Sequence, residues 1–117
     1  MVNSRQKGAR GERALAKKLR EWGFEARRGV QYSGRTGQPD VLGLPYIHIE
    51  CKHVERLNIH DAMDQSKRDA RENEVPVVMH KKNNTEWLVT MRLDDFIPIY
   101  REWMLEQDLV GEGNGER

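Results

Sequence analysis

The chain has 117 residues, a single Cys, 33% charged residues and a formal net charge of +1. That length suits one domain. One Cys excludes an internal disulfide and any CxxC or Cys₂His₂ zinc site, and no apolar run approaches the roughly 18 residues of a membrane span. The polar, basic start MVNSRQKGARGER does not read as a signal peptide, so an intracellular, cytoplasmic protein without membrane association is expected. The small net charge hides a polarity: residues 1–35 carry ten Lys/Arg against three Glu, a net +7, whereas the last dozen residues lean acidic. Such an asymmetry fits a polyanion partner, and it also fits a solvated helix face.

From Lys7 to Trp22 the apolar spacing is helical, with Leu15, Ala16, Leu19 and Trp22 on one stripe and Gly23 as its stop. One turn back along that stripe lies Glu12, an acid at the inward end of an apolar face, which is costly unless something pairs with it. Phe24 to Tyr32 reads as a strand, and Ser33 to Pro39 (SGRTGQP) as a Gly/Pro loop. Asp40–Leu42 opens a short strand that turns at Gly43–Pro45 into Tyr46–Lys52. In that second strand Ile47, Ile49 and Cys51 point one way, and Tyr46, His48, Glu50 and Lys52 the other. Asn58 caps a helix from Ile59 to about Asn73, with Ile59, Ala62, Met63, Ser66 and Ala70 inward. Pro76–Lys81 and Glu86–Met91 form a hairpin around Asn83-Asn84. A last helix starts near Leu93 or Asp94, with Phe96, Ile97, Tyr100, Trp103 and Met104 on its apolar side and Pro98 at the edge of its first turn. The expectation is an α/β domain over residues 1–106, ordered α-β-β-β-α-β-β-α around a mixed five-stranded sheet, followed by a disordered Gly-rich acidic tail over 107–117.

Three acids stand out within this order. The hairpin at Gly43–Pro45 sets Asp40 roughly opposite Glu50, and Glu12 ends the helical stripe. Three converging carboxylates repel one another and need a cation, and hard oxygen ligands select Mg²⁺ or Mn²⁺. Lys52 projects from the same face as Glu50, where a scissile phosphate would develop charge. The bland alternative for Glu50 and Lys52 is an exposed ion pair of little worth; for Glu12 it is a first-turn acid favoured by the helix dipole.

At these residues the sequence resembles a known family. Pro39-Asp40, followed ten residues later by Glu50-Cys51-Lys52, is the PD-(D/E)xK nuclease signature. The stretch KGARGERALAKKLREWGF, Lys7 to Phe24, is similar to the opening helix of archaeal-type (and phage) Holliday junction resolvases. The resemblance covers roughly Lys7 to Met91. It implies a restriction-endonuclease-like core and an Mg²⁺-dependent endodeoxyribonuclease, with Mn²⁺ able to substitute. Asp40, Glu50 and the main-chain carbonyl of Cys51 would hold the metal. Glu12 would bind a second metal or hold its water, and Lys52 would orient or help deprotonate the attacking water. It implies DNA contacts from Ser33 and Arg35 in the loop and from Gln65 on the second helix. Arg5, Lys7, Arg10 and Arg28 would lie along the DNA backbone. His48 stands between a DNA contact and a plain sheet neighbour.

Cutting a four-way junction needs two symmetric incisions, so the resemblance also implies a homodimer. Trp87, Phe96, Tyr100 and Trp103 offer surface for that interface, unless they are core. Two alternatives stay open. One is a flap-specific or restriction-like nuclease of phage DNA processing. The other is a silent DNA-binding module, against which the retention of Asp40, Glu50 and Lys52 argues.

Overall fold

The computed structural model describes residues 4–29 and 38–114, with side chains over 8–29 and 38–111. The elements are α1 (Ser4–Glu21), β1 (Arg27–Arg28), β2 (Val41–Leu42), β3 (Ile47–His53), α2 (Ile59–Asp69), β4 (Val75–Lys81), β5 (Leu88–Met91) and α3 (Leu93–Asn114). This is the expected element order. The strands form one sheet in the order β1-β2-β3-β4-β5. β3 and β4 run parallel, joined by the crossover helix α2, and every other pair is antiparallel. The architecture is a restriction-endonuclease-like α/β core. No helix among the described residues is long and apolar enough to cross a membrane.

The sheet is covered on both faces, which explains why β3 and β4 bury four consecutive residues each. On one face α1 packs Leu15 and Ala16 against Ala26, Val41, Ile49, Cys51, Val77 and Met79. The expected inward set Ile49 and Cys51 is therefore the α1 face. Cys51 is a core residue, and burial pushes its thiol pKa upward, with the charges of Asp40, Glu12 and Glu50 adding to the shift. On the other face α2 sets Ala62 and Met63 against Val78. The Ser66 hydroxyl donates to the carbonyl oxygens of His48 (3.3 Å) and Val77 (3.0 Å), sharing one proton between two strands. Asn58 caps α2 as expected, its side chain accepting from the Asp61 amide at 3.1 Å.

Several local expectations shift. α1 ends at Gly23 (φ +93°) as the stripe predicts, but Trp22 is 76% exposed and not part of the buried stripe. The strand expected over Phe24–Tyr32 is paired only at Arg27–Arg28, and residues 30–37 lie outside the described residues. Tyr46 adopts φ +70° in the turn and is not a strand residue. α2 stops at Asp69, because Ala70 turns extended (φ −67°, ψ 142°).

The largest difference is α3. It is helical through Asn114, well into the expected tail, and Pro98 lies beyond its first turn. No other element packs extensively against it. Leu93, Phe96, Ile99, Tyr100, Trp103, Leu105, Leu109 and Val110 are all exposed, so this helix contributes no core. The radius of gyration is 16.4 Å, where a compact chain of this length has about 13 Å.

Candidate active site

The site is assembled where β2 meets β3. Val41 pairs with Ile49 in antiparallel register, which sets the preceding Asp40 across from Glu50. Asp40 is fastened by its main chain and its carboxylate together. Its amide donates to the Ile49 carbonyl at 2.9 Å, and its own carbonyl accepts the Gly29 amide at 2.8 Å. Its Oδ2 accepts the Cys51 amide at 2.8 Å. Gly29 is required by this closeness, since a Cβ there would run into the Pro39 carbonyl oxygen. The loop end that carries Asp40 is thereby clamped between β1 and β3.

Glu50 is 2% exposed, and its Oε2 finds no hydrogen-bond partner among the described residues. Burial, followed by the charge of Asp40 and a hydrogen bond with it, pushes the Glu50 carboxyl up to about 8. Lys52 opposes this shift, and Asp69 at the end of α2 adds to it. Asp69 is a site neighbour that strand and motif reasoning missed. It lies one helical turn beyond Gln65, and a turn count from the inward residue Ser66 would have found it. Gln65 is half-buried on α2. Lys52 is half-buried, two residues on from Glu50 in β3.

Glu12 stands near but is differently engaged. Its Oε1 lies 2.7 Å from Arg28 Nε, an ion pair between α1 and β1. Burial raises its pKa and the charge of Asp40 adds to the rise, while the hydrogen bond and charge of Arg28 work against it. The expected convergence of three carboxylates therefore resolves into a close pair, Asp40 and Glu50, with Glu12 turned to a guanidinium. Among the described residues no group of three or more His, Cys, Asp or Glu side chains is gathered to hold a metal. The physical reason is that Glu12 already has a counter-charge in Arg28.

The residues expected at DNA fall into three groups. Arg10 is exposed on α1, and Arg28 is exposed but occupied by Glu12. The side chains of Arg5 and Lys7, and the whole of Ser33 and Arg35, lie outside what the structure describes. His48 requires a correction: it is fully buried beneath α2, with neither ring nitrogen hydrogen-bonded and Nδ1 3.8 Å from Glu74 Oε1. A residue on the Glu50 face of the strand is not thereby in the cleft, because α2 covers that end of the face. His48 is a sheet neighbour.

The donor set fits a hard divalent cation. All the side-chain donors are oxygens. A buried carboxylate oxygen without a partner, set beside a second carboxylate, is a costly arrangement that a cation relieves. A mixed sheet with helices on both faces, carrying this carboxylate pair and a lysine on adjoining strands, defines a nuclease of the PD-(D/E)xK class. The chain belongs to the family described as "Phage putative PDDEXK endonuclease", whose profile matches residues 3–110. Among solved structures it is similar to that of Archaeoglobus fulgidus Hjc, a Holliday junction resolvase from an archaeal hyperthermophile. The TM-score is 0.57 at 26% identity, over 70% of this chain and 74% of that one. No curated protein sequence matches the chain.

Proposed function

We propose that the protein is an Mg²⁺-dependent endodeoxyribonuclease that resolves four-way DNA junctions as a homodimer, acting in the cytoplasm, with Mn²⁺ able to replace Mg²⁺. The observation that carries the catalytic reading is the Asp40–Glu50 pair. Asp40 is locked to the Cys51 amide, and Glu50 is buried against it with an unpartnered oxygen. The similarity to a junction resolvase supports the substrate and, through the two symmetric cuts a junction needs, the dimer.

Asp40, Glu50 and the Cys51 carbonyl would hold the ion, with Glu12 beside them. The chemistry Mg²⁺ supplies when bound is charge neutralisation at the scissile phosphate and a lower pKa for water. Glu50, whose carboxyl is pushed up to about 8, has to give up its proton for the site to load. Lys52 orients the attacking water and offers its ammonium to the charge that grows on the phosphate oxygens in the transition state. Glu12, freed from Arg28 as the backbone of the substrate draws that guanidinium away, is the group placed to hold a proton of the attacking water. Arg28 and Arg10, with Arg5, Lys7, Ser33 and Arg35, supply the cationic and hydroxyl contacts to the phosphates flanking the cut, and Gln65 approaches from α2.

A second reading has its own support: the family description names an endonuclease and no junction. It is a flap-specific or restriction-like nuclease built on the same site. Labelled four-way junction, flap, single-stranded and linear duplex DNA, each incubated with Mg²⁺, Mn²⁺ and EDTA, separate the two. Paired symmetric nicks in the junction alone support resolution. Cutting of flap or duplex supports the second reading. Binding without any metal-dependent cutting leaves a silent DNA-binding module and defeats both.

A further inference from the structure

We propose that α3 is an exchanged arm: it docks into a basic-rimmed apolar pocket beside β5 of a second copy of this chain. The proposal rests on the homodimer reading above and adds the surface that makes it.

The arm is an apolar-rich helix against which no other element among the described residues packs extensively. Phe96, Tyr100 and Trp103 form a ladder along it, with ring centroids 6.1 and 5.9 Å apart. Trp103 is 56% exposed, and Ile99 and Val110 continue the same side. An apolar stripe of this length on a monomer marks an interaction surface. The flanks of the helix are acidic: Asp94, Asp95, Glu102, Glu106 and Asp108 stand against Arg101 alone within 93–110. That charge disfavours two occupants at once. DNA is repelled by it, and so is a second α3 laid alongside.

The receptor is on the same chain. A cavity of about 570 Å³ opens between the β3–α2 connection and the β4–β5 hairpin, floored by Val54, Leu57, Ile59 and Leu88. Arg56, Lys81 and Lys82 stand on its rim with Glu55 and Glu86. Glu55 accepts the Asn83 amide at 2.7 Å but keeps its charge, so the rim holds three basic against two acidic side chains. Lys81 lies over the Trp87 ring, 5.7 Å from its centroid, which leaves its charge on the surface. An apolar floor with a basic rim is the complement of an apolar helix with acidic flanks.

The arm does not fill its own pocket, which no α3 residue lines. The Arg92 carbonyl accepts the amides of both Asp95 and Phe96 at 3.0 Å, and Arg92 Nε donates to Asp95 Oδ2 at 2.7 Å. Those bonds tie the first turn of α3 to the end of β5, and in the proposed dimer the complementary surfaces meet between copies. Reciprocal docking is isologous and closes the assembly at two. Two helices, each about 33 Å long and about 10 Å wide, bury on the order of 1,300 Å² between the copies, in the range of a specific interface.

The test is sedimentation equilibrium on the full chain, with cleavage assayed separately. Wild type is expected to be a dimer. Tyr100→Glu with Trp103→Glu should weaken it by about 30-fold or more, with an unchanged circular dichroism spectrum because both side chains are exposed in the protomer. Glu102→Lys/Glu106→Lys and Lys81→Glu/Lys82→Glu should each weaken the self-association, and a 1:1 mixture of the two should restore a dimer. Asp40→Asn should dimerise as wild type does while losing cleavage, which keeps this outcome distinct from that of the nuclease assay. A wild-type monomer at high micromolar concentration overturns the exchange whether or not the protein cuts DNA. So does a dimer that ignores the Lys81/Lys82 changes while yielding to those in α3, since α3 would then be pairing with something other than the pocket. Lower DNA affinity of the Tyr100/Trp103 variant at unchanged mass also overturns it.

Discussion

The β2–β3 junction and the α3 arm violate ordinary burial in opposite ways. At the first, an acid is buried: Glu50 sits almost out of solvent beside Asp40, with one oxygen unpartnered among the described residues. At the second, apolar surface is exposed along most of a helix against which no other element among the described residues packs extensively. Neither arrangement helps an isolated chain fold, since buried carboxylates cost desolvation and exposed aromatics forgo burial. Each is therefore where the proposals above put a ligand, and the kind of violation suggests its chemistry. Crowded carboxylates ask for a cation, and a bare apolar stripe asks for another protein surface.

The sharpest way to break that contrast is at the carboxylate pair. Asp40→Asn should lower the cleavage rate by about 10³-fold or more, because one oxygen ligand loses its charge. Its amide oxygen still accepts from Cys51, so the fold should persist, and single-turnover cleavage of labelled junction with a parallel thermal melt checks both halves. Lys52→Ala should cost roughly 10²–10³-fold in the same assay while sparing DNA binding in a gel shift.

Core and arm also differ in what a leucine is worth to stability. Leu15→Ala, at a side chain 2% exposed, should cost about 2–5 kcal/mol. Leu109→Ala, at one 69% exposed, should cost the protomer less than about 0.5 kcal/mol. Urea unfolding of both variants at a protein concentration low enough to hold the chain monomeric makes the comparison. A large loss at Leu109 would mean that α3 belongs to the protomer core after all.

The titration of Glu50 supplies a further test. Its folded pKa, at about 8, lies above the ordinary glutamate value of 4.5. Between those values the folded chain holds a proton that the unfolded chain has released. The contribution of Glu50 is thus fully present below about 4.5 and lost as pH rises through about 8. In EDTA the melting temperature should fall by several degrees across that window, and Glu50→Gln should flatten the fall. A melting temperature that rises with pH, or a fall unchanged in the variant, would remove the carboxylate strain from the argument.

The smallest effect belongs to the Glu12–Arg28 pair. Arg28→Ala should cost at most about 1 kcal/mol, since Arg28 is largely exposed. It should also push the already raised Glu12 carboxyl further up, because Arg28 is the main influence holding it down. Chemical shifts of the Glu12 carboxyl carbon against pH would show the move.

Much of the site was legible in the sequence because its determinants are local. A hairpin across Gly43–Pro45 fixes register within a dozen residues, so the Asp40–Glu50 juxtaposition follows from counting along two strands. Alternation assigns Cys51 to the core for the same reason. Alternation failed at His48, since period two sorts residues by face but says nothing about which end of a face a distant helix covers. Glu12, expected at the inward end of the apolar stripe, lies in the middle of α1 with Ala9 buried beyond it, and its partner Arg28 was read as a DNA contact.

The sequence by itself determined the element order, the N-cap of α2, and the juxtaposition of Asp40 and Glu50. Each depends on periodicity, capping or spacing within one or two elements. Only the tertiary structure decided that Glu50 is buried, that the charge of Asp69 bears on it, that Arg28 holds Glu12, and that the aromatic face of α3 is bare. An apolar stripe reads the same in sequence whether its own sheet or another molecule covers it. The structure shows that its own sheet does not cover this one among the described residues, which sequence periodicity could not decide.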